Sequence, residues 1–405
     1  MQLSTYAKVI VKNGIAVQSG DLVKVNFNPE HLPLVREITK EAYLSGASYV
    51  KLDLRDPEVE LARAHYICSP YTHHYPDSLV QSEWTDLEAG YSTISITAPS
   101  FEKLESNLLR KKAAKLIEVK AKAMAPIRKV GMENRNKWVV VNAPTVAWAN
   151  TIFPDLESDR AFHRLNELLG DILKLYEKDP VASWCHQDLK LKTIANRLNA
   201  YQFDALEFKS NYTKLYVGLV RQHIWTGGTE KTNDGRVFLS NIPVEEVWTM
   251  PDKRGVTGHV RITKPFNLNG QLIQGITLYF QEGKVVKLDP YNKELANLIE
   301  IDDGGSRLGE VALVSKHSSV AKTGVVFNST LLDENAASHI AFGQAYVSNV
   351  VQGVAMNTNE RDAIGMNESA IHQDVMIGDE IMDVYGVRNK KRILIMKNGE
   401  WCFTI

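Results

Sequence analysis

The first half of the chain alternates short strand-like runs with segments of helical spacing. The run DLVKVNF at 21–27 is rich in β-branched residues, EHLPLVREITKEAYLSGA at 30–47 has helical spacing, and SYVKLDL at 48–54 is strand-like again. The alternation continues with strands at 91–99 and 137–145 and helices at about 101–124, 158–177 and 181–199. Strands that alternate with helices imply βαβ units, so we expect a mostly parallel sheet.

The pattern changes in the second half. Segment 206–220 alternates like a pair of strands, and 259–289 reads as a β-meander with turns at Asn269-Gly270 and Glu282-Gly283. A chain of 405 residues also exceeds one ordinary domain. We therefore predict an α/β N-terminal domain with a mostly parallel sheet, followed by an α+β, β-rich C-terminal domain. The predicted domains are residues 1–202 and 203–405.

Charge and cysteine content restrict the class of protein. The net charge is −1 at pH 7, so no global field favours nucleic acid or an anionic membrane as a partner. Cys68, Cys185 and Cys402 are too few and too far apart for a disulfide framework. No apolar run approaches about 18 residues, and the N-terminus lacks a signal-peptide pattern. We therefore expect a cytoplasmic protein without a membrane span.

The triplet His-Gln-Asp occurs twice, at 186–188 and at 372–374. In a helix, residues two apart point about 200° apart around the axis and cannot converge on one ion. In a strand, they face the same side. The local structure therefore decides whether either copy can carry chemistry.

The apolar pattern separates the two copies. Around His186 the apolar residues follow a helical stripe, so His186 and Asp188 diverge and are expected to be solvated or capping side chains. Around His372 the sequence reads as a strand ended by a glycine, so His372 and Asp374 share a face. The second copy is either part of a metal site or a hydrogen-bonded His–Asp pair inside a β-domain.

Carboxylates upstream are further candidate ligands. The run SRLGEVALV at 306–314 places Glu310 in an apolar, strand-like context, where a buried carboxylate needs a compensating group such as a cation. Gly309 beside it permits a close backbone approach. The run NIPVEEVWTMP at 241–251 carries an adjacent glutamate pair between two prolines, which is either a ligand source or a solvated surface.

The segment DENAASHIAFGQAY at 333–346 is a long and distinctive phrase that carries both a histidine and a tyrosine. Its His339 and Tyr346 are seven residues apart and would share a face if the segment were helical. Together with shorter phrases it resembles the aminopeptidase T / aminopeptidase S family, the thermophilic-type dinuclear metalloaminopeptidases. The shorter phrases are YAKVIV at 6–11, SW at 183–184, PVEEVWTMP at 243–251, RLGE at 307–310 and HQDVMIG at 372–378, so the resemblance covers essentially the whole chain.

The resemblance implies a set of site residues. Tyr346 falls on the family's active-site tyrosine, and the metal ligands fall on Glu246, Glu310, His339, His372 and Asp374. The neighbouring Glu245 makes the first carboxylate ambiguous by one position; Glu246 is preferred because it directly precedes a Val-aromatic pair. Gln373 stands where a more apolar residue is commoner in the family, and on a strand it would point away from the ions.

The ligand set matches a definite kind of metal chemistry. Three carboxylates and two imidazoles suit two divalent ions per chain, of Zn²⁺, Co²⁺ or Mn²⁺. Two ions about 3.5–4 Å apart can deprotonate one water and polarise a scissile carbonyl. Because a carboxylate has two oxygens with which to bridge two ions, we expect Glu310 to be the bridge and, with Tyr346, a catalytic residue.

We therefore predict a cytoplasmic metal-dependent aminopeptidase that removes N-terminal residues from peptides with a free N-terminus. The resemblance implies a homodimer whose N-terminal domain serves assembly and substrate access and whose C-terminal domain holds the metals. One alternative is a non-catalytic α/β scaffold with a structural metal site, which the lack of cysteine ligands disfavours. Another is a different dinuclear hydrolase, such as a carboxypeptidase or phosphoesterase, which only the resemblance disfavours.

Overall fold

The computed structural model describes residues 1–99, 106–268 and 271–403, which form two compact units. One unit contains Met1–Trp184 and Thr229–Ile242, and the other contains Cys185–Gly228 and Pro243–Ile405. The predicted boundary near residue 203 differs from this division. The first unit ends at Trp184 and also contains the later segment Thr229–Ile242. That segment returns because residues 241–242 add a strand to the first unit's sheet. The role of the N-terminal domain in assembly and substrate access stays a prediction.

Helices and strands follow the chain in this order over the described residues. The α-helices are α1 (Leu3–Val9), α2 (Leu32–Leu44), α3 (Pro57–Tyr66), α4 (Asp77–Glu88), α5 (Asn107–Met132), α6 (Val146–Ile152), α7 (Ser158–Ile172), α8 (Pro180–Tyr201), α9 (Lys293–Ile299), α10 (Thr330–Asp333) and α11 (Thr358–Ala363). The strands are β1 (Leu22–Phe27), β2 (Tyr49–Leu54), β3 (Ser92–Thr97), β4 (Trp138–Asn142), β5 (Ala205–Lys209), β6 (Lys214–Leu219), β7 (Glu230–Lys231), β8 (Val237–Phe238), β9 (Asn241–Ile242), β10 (Glu246–Thr249), β11 (Pro251–Arg261), β12 (Phe266–Leu268), β13 (Gln271–Ile273), β14 (Thr277–Gln281), β15 (Lys284–Asp289), β16 (Leu308–Val314), β17 (His339–Gly343), β18 (His372–Met376), β19 (Asp383–Arg388), β20 (Lys391–Lys397) and β21 (Glu400–Trp401).

A five-stranded sheet forms the centre of the first unit. Its strand order is β2-β1-β3-β4-β9, and every neighbouring pair is parallel. Strand β1 is buried along most of its length, as the β-branched run at 21–27 requires. Helix α2 buries Leu34, Val35 and Ile38, which follow helical spacing. The predicted α/β domain with a mostly parallel sheet is confirmed.

Most elements predicted for the first half are present, and four α-helices were missed. Helix α5 runs further than predicted, and residues 101–105 of the predicted helix lie outside the described residues. Helices α3 and α4 bury only Ala64 and Asp86, respectively, so they lack the apolar stripe that marks a helix in sequence. The short helices α1 and α6 were also not predicted.

The second unit is dominated by antiparallel sheets. One has eight strands in the order β15-β14-β11-β6-β5-β19-β20-β21, and another has four in the order β10-β16-β17-β18. The predicted strand pair at 206–220 is the β5–β6 hairpin, and the predicted meander at 259–289 spans the end of β11 and strands β12 to β15. The turn between β14 and β15 has positive φ at Glu282 and Gly283, as predicted, while Asn269-Gly270 lies outside the described residues. The β-rich character of the second half is confirmed.

Crossing a bilayer takes a helix of about 20 predominantly apolar residues. Among the described residues, none of the helices combines the necessary length and apolarity.

Candidate metal centre

The register of the four-stranded sheet determines which side chains share a face. Ala341 on β17 lies opposite Glu310 on β16 and opposite Asp374 on β18, and His339 lies opposite Ala312. Residues paired across antiparallel strands point to the same face, and residues two apart along a strand do as well. Glu310, His339 and Asp374 therefore project from one face, with small alanines between them.

The same face receives the remaining two predicted ligands. Glu246 at the start of β10 lies opposite Val314, which shares the face of Glu310 by alternation along β16. His372 lies opposite Gly343 on β17 and two residues before Asp374 on β18. Four adjacent strands thus bring all five predicted ligands together on a single face.

A β-bulge at Gly309 directs Glu310 to this face. Leu308 pairs with Phe342 while Glu310 pairs with Ala341, so β16 contains one extra residue at this point. A Cβ on Gly309 would collide with the carbonyl oxygens of Gly343 and Gln344. The close backbone approach expected at Gly309 is therefore confirmed, and only glycine fits there.

His339 lies at the centre of the cluster and is 1% exposed. Its Nε2 is 3.0 Å from Oε2 of Glu246, 3.6 Å from Oε1 of Glu310 and 4.0 Å from Oδ1 of Asp374. Its Nδ1 lies 3.2 Å from the carbonyl oxygen of Ala337. Because a carbonyl only accepts, Nδ1 carries a proton and Nε2 is left to face the carboxylates.

His372 is held in the same way. Its Nδ1 donates to the carbonyl oxygen of Gln344 at 2.7 Å. Its Nε2 lies 3.6 Å from Oδ1 of Asp374 and 3.9 Å from Oε2 of Glu310. Glu310 therefore presents one oxygen to each histidine, which is the arrangement that a bridging carboxylate requires.

The donor atoms form two overlapping groups that could each hold a metal ion. One contains Glu246, Glu310 and His339, and the other contains Glu310, His372 and Asp374, with the ligand atoms of each group within 4.8 Å of one another. Oε2 of Glu246 is buried, and although Nε2 of His339 lies 3.0 Å away, no hydrogen bond of acceptable geometry reaches this oxygen within the described part of the chain. A buried carboxylate oxygen without a donor is costly, and a cation would satisfy it. The residues present therefore fit divalent metal ions.

The electrostatics of the cluster favour added positive charge. Burial raises the pKa of Glu310 and outweighs the nearby imidazoles, which lower it. Burial opposes protonation of His372, but the charge and hydrogen bond of Asp374 and the charge of Glu310 together raise its pKa to about 9. Burial likewise opposes protonation of His339, yet Glu246, Glu310 and Asp374 raise its pKa well above the ordinary value. Either protons or metal ions can supply the positive charge.

The structure distinguishes the two adjacent glutamates. Oε1 of Glu245 accepts a hydrogen bond from the backbone N–H of Ser319 at 2.8 Å and another from the Ser319 hydroxyl. Glu246 instead points to the face of the sheet that carries His339. Since adjacent residues on a strand face opposite sides, Glu246 is the member of the pair that lies in the cluster.

Comparison with known proteins supports a metal-dependent hydrolase. Residues 1–401 match the model of the thermophilic metalloprotease family, M29. The chain belongs to the M29 metalloprotease family. It is 37% identical over 407 residues to aminopeptidase 2 of Geobacillus stearothermophilus, covering 100% of this chain and 98% of that protein. It is 35% identical to aminopeptidase T of Thermus thermophilus, covering 98% of each.

A solved structure agrees with these matches. Wild-type AmpT from Thermus thermophilus superposes with a TM-score of 0.92 at 34% identity, covering 99% of each chain. The predicted family resemblance and fold class are confirmed, and so is the enzyme class, a metalloaminopeptidase of the M29 family.

Tyr346 of this M29 chain lies beside the cluster but not on a helix with His339. Its ring is edge-on to the His372 ring, with centroids 5.1 Å apart. The helical interpretation of 333–346 is wrong, because His339 begins strand β17 and α10 ends at Asp333. Tyr346 reaches the site from the segment after β17, through its contact with His372.

Glu334 is a buried carboxylate at the cluster that the sequence interpretation did not single out. It is 9% exposed and follows α10 directly. Burial raises its pKa well above the ordinary value, and the charges of Glu246 and Asp374 raise it further. The sequence gives little warning, since a glutamate between Asp333 and Asn335 reads as a solvated turn.

The first His-Gln-Asp copy of the M29 chain contributes to neither candidate metal group. Helix α8 carries it, as predicted, and His186 is exposed. Asp188 pairs with Lys192 one helical turn later, with Nζ to Oδ2 at 2.8 Å. His372 and Asp374 lie on strand β18, also as predicted.

Proposed function

We propose that this metalloprotease releases N-terminal residues from peptides using two divalent ions held by Glu246, Glu310, His339, His372 and Asp374. One observation carries the proposal: Glu310 belongs to both groups of candidate ligands and offers a different oxygen to each histidine. A single structural ion would not need two overlapping groups with a shared carboxylate.

The two groups assign the ligands to two positions. Glu246 and His339 would hold one ion, His372 and Asp374 the other, and Glu310 both. Mixed carboxylate and imidazole donors suit Zn²⁺, Co²⁺ or Mn²⁺. Such a pair, when bound, lowers the pKa of an attacking water and polarises the scissile carbonyl.

Glu334 is suited to move the proton of the attacking water. Its carboxylate belongs to neither ligand group, yet it is buried within reach of the charges of Glu246 and Asp374. A buried carboxylate beside the ligands that binds no ion itself can accept a proton and pass it to the leaving amine. We therefore assign Glu334 as the proton acceptor and donor.

Tyr346 is suited to stabilise the oxygen of the scissile carbonyl. Its ring packs edge-on against His372, one of the ligands proposed for the second ion. A hydroxyl donor aimed at the developing negative charge lowers the barrier of acyl transfer. We therefore assign Tyr346 as a hydrogen-bond donor in catalysis.

The exopeptidase assignment rests on the relatives, several of which are named aminopeptidases. A free α-amine can serve as a ligand of a Lewis-acidic ion, which would give the site its preference for peptide N-termini. This feature separates the proposal from a carboxypeptidase or phosphoesterase built on the same ion pair.

The experiment is an assay of metal-stripped protein on a panel of aminoacyl chromogenic amides, with Zn²⁺, Co²⁺ or Mn²⁺ added back. We expect no release without metal and release with at least one ion, lost again in Glu310→Gln. Phosphoesters and peptides blocked at the N-terminus serve as control substrates. Turnover of the control substrates without turnover of any aminoacyl amide would overturn the proposal.

We further propose that the enzyme is a cytoplasmic homodimer, following its family resemblance. Light scattering after size-exclusion chromatography measures the mass in solution against 45.5 kDa for one chain. A mass of about one chain at micromolar concentration would contradict the dimer.

A further inference from the structure

Three consecutive polar residues are buried where α10 ends. Asp333, Glu334 and Asn335 are 5%, 9% and 0% exposed. Glu334 is the assigned proton carrier, and the residues on either side bind backbone groups of other segments. A buried polar side chain stays buried only when its hydrogen bonds are made, so these contacts determine where Glu334 lies.

The Asn335 amide connects the Glu334 segment with the strand that carries Glu246. Its Oδ1 accepts a hydrogen bond from the backbone N–H of Glu245 at 2.6 Å. Its Nδ2 donates to the carbonyl oxygen of Leu331 at 2.8 Å and lies 3.5 Å from that of Pro243. One side chain therefore holds the backbone directly before Glu246 against the backbone directly after Glu334.

The neighbouring polar side chain, Asp333, bonds within its own segment, whereas Asn335 bonds to the segment that precedes Glu246. The Asp333 carboxylate accepts from the N–H groups of Phe327 at 2.8 Å and Ser329 at 3.0 Å, which fixes the turn before α10. The Glu245 carboxylate accepts from Ser319, and the Glu245 backbone N–H donates separately to Asn335. Removing the amide would leave that N–H without its acceptor and would free the two carboxylates to shift relative to each other.

We propose that Asn335 is a positioning residue that fixes Glu334 relative to Glu246, an inference that rests on the proposed function. The Asn335 amide bonds to backbone groups and takes no part in the proposed ligand set. Its contribution is geometric, since displacing a catalytic group by about 1 Å can cost about a hundredfold in rate.

The test compares Asn335→Ala and Asn335→Ser with a matched control, Asn199→Ala. Asn199 on α8, which is half-buried, makes a comparable pair of backbone bonds, accepting from the Trp225 N–H at 2.7 Å and donating to its carbonyl at 2.9 Å. With metal at saturation, we expect kcat of both Asn335 variants to fall about tenfold or more with KM within about twofold, as loss of supporting contacts does. The Asn199 variant should keep kcat near wild type.

Two further measurements separate positioning from simple destabilisation. Titration of the metal-free proteins with Zn²⁺ alone should show one site weakened about tenfold in Asn335→Ala and unchanged in Asn199→Ala. Asn335→Asp keeps an acceptor for the Glu245 N–H, so part of the lost kcat should return. Serine leaves a smaller cavity than alanine. If the Ala variant does not fold, the kcat and Zn²⁺ affinity of the Ser variant are used for the comparison.

The outcomes are distinguishable. If wild type releases no N-terminal residue, the proposed function fails, and the Zn²⁺ titration alone then judges the role of Asn335. Equal kcat and equal Zn²⁺ affinity in the Asn335 and Asn199 variants would overturn the positioning role. An equal fall in both would overturn it as well, because the effect would then be general.

Discussion

The two His-Gln-Asp copies provide a controlled experiment within one chain. His372 and Asp374 lie on strand β18 with Nε2 and Oδ1 3.6 Å apart, and both belong to a candidate metal group. His186 and Asp188 lie on helix α8, where residues two apart diverge. Four single alanine variants at these positions change the same residue types in the two geometries.

The expected magnitudes differ sharply. Removing His372 or Asp374 takes one of the three ligands from a group, so turnover should fall at least about a hundredfold, or about 2.7 kcal/mol in activation free energy. His186 is exposed, so its loss should cost about 0.5 kcal/mol of stability or less. Asp188 is 18% exposed and pairs with Lys192, so its loss should cost about 1 kcal/mol, with turnover near wild type.

The assay combines turnover of an aminoacyl amide, bound metal after dialysis and thermal unfolding followed by circular dichroism. The spectrum of each variant shows whether it is folded, and the Asp188 variant controls for lost stability. The reasoning is refuted if the His186 and Asp188 variants lose metal while the His372 and Asp374 variants keep it. Full activity in all four variants would also refute it.

Three other predictions follow from the site and its surroundings. Reloaded protein should contain about two divalent ions per chain by elemental analysis; a firm value of one with full activity contradicts the two-ion proposal. N-acetylation of a peptide should abolish its cleavage, and equal rates for free and acetylated peptides by chromatography would exclude an aminopeptidase. Burial lowers the pKa of His31 from 6.5 to about 4, and the hydrogen bond to the carbonyl oxygen of Ala143 opposes this shift only weakly. The folded protein therefore favours the neutral imidazole. The contribution of the neutral His31 ring to the free energy of unfolding is fully present above pH 6.5. It should fall by about 3 kcal/mol as the pH drops to 4, at about 1.4 kcal/mol per pH unit. The fall should be smaller in His31→Gln by denaturant titration, and identical pH dependence in the two proteins would contradict the assignment.

Local pattern in the sequence was enough to assign the two His-Gln-Asp copies. The spacing of apolar residues around each triplet is set by its own helix or strand, so it distinguished α8 from β18 without knowledge of the fold. The alternation of elements in the first half likewise predicted a parallel sheet. The distinctive phrases led to the family and to five candidate ligands, because metal chemistry demands particular residue types at particular places.

Local pattern misled where a strand is buried on both faces. All five residues of β17 are buried, so HIAFG shows no alternation of polar and apolar residues. The seven-residue spacing of His339 and Tyr346 then fitted two helical turns equally well. Sequence spacing alone could not show that His339 is on a strand and Tyr346 lies beyond its end.

The tertiary structure alone decided how the ligands converge. Strands β10, β16, β17 and β18 are separated by long stretches of chain, and a slip of one residue in their pairing would turn a ligand to the opposite face. The bulge at Gly309, the bonding of Glu245 to Ser319 and the burial of Glu334 all depend on that pairing. Residue types specify which side chains can bind a metal, whereas long-range strand register specifies which of them meet.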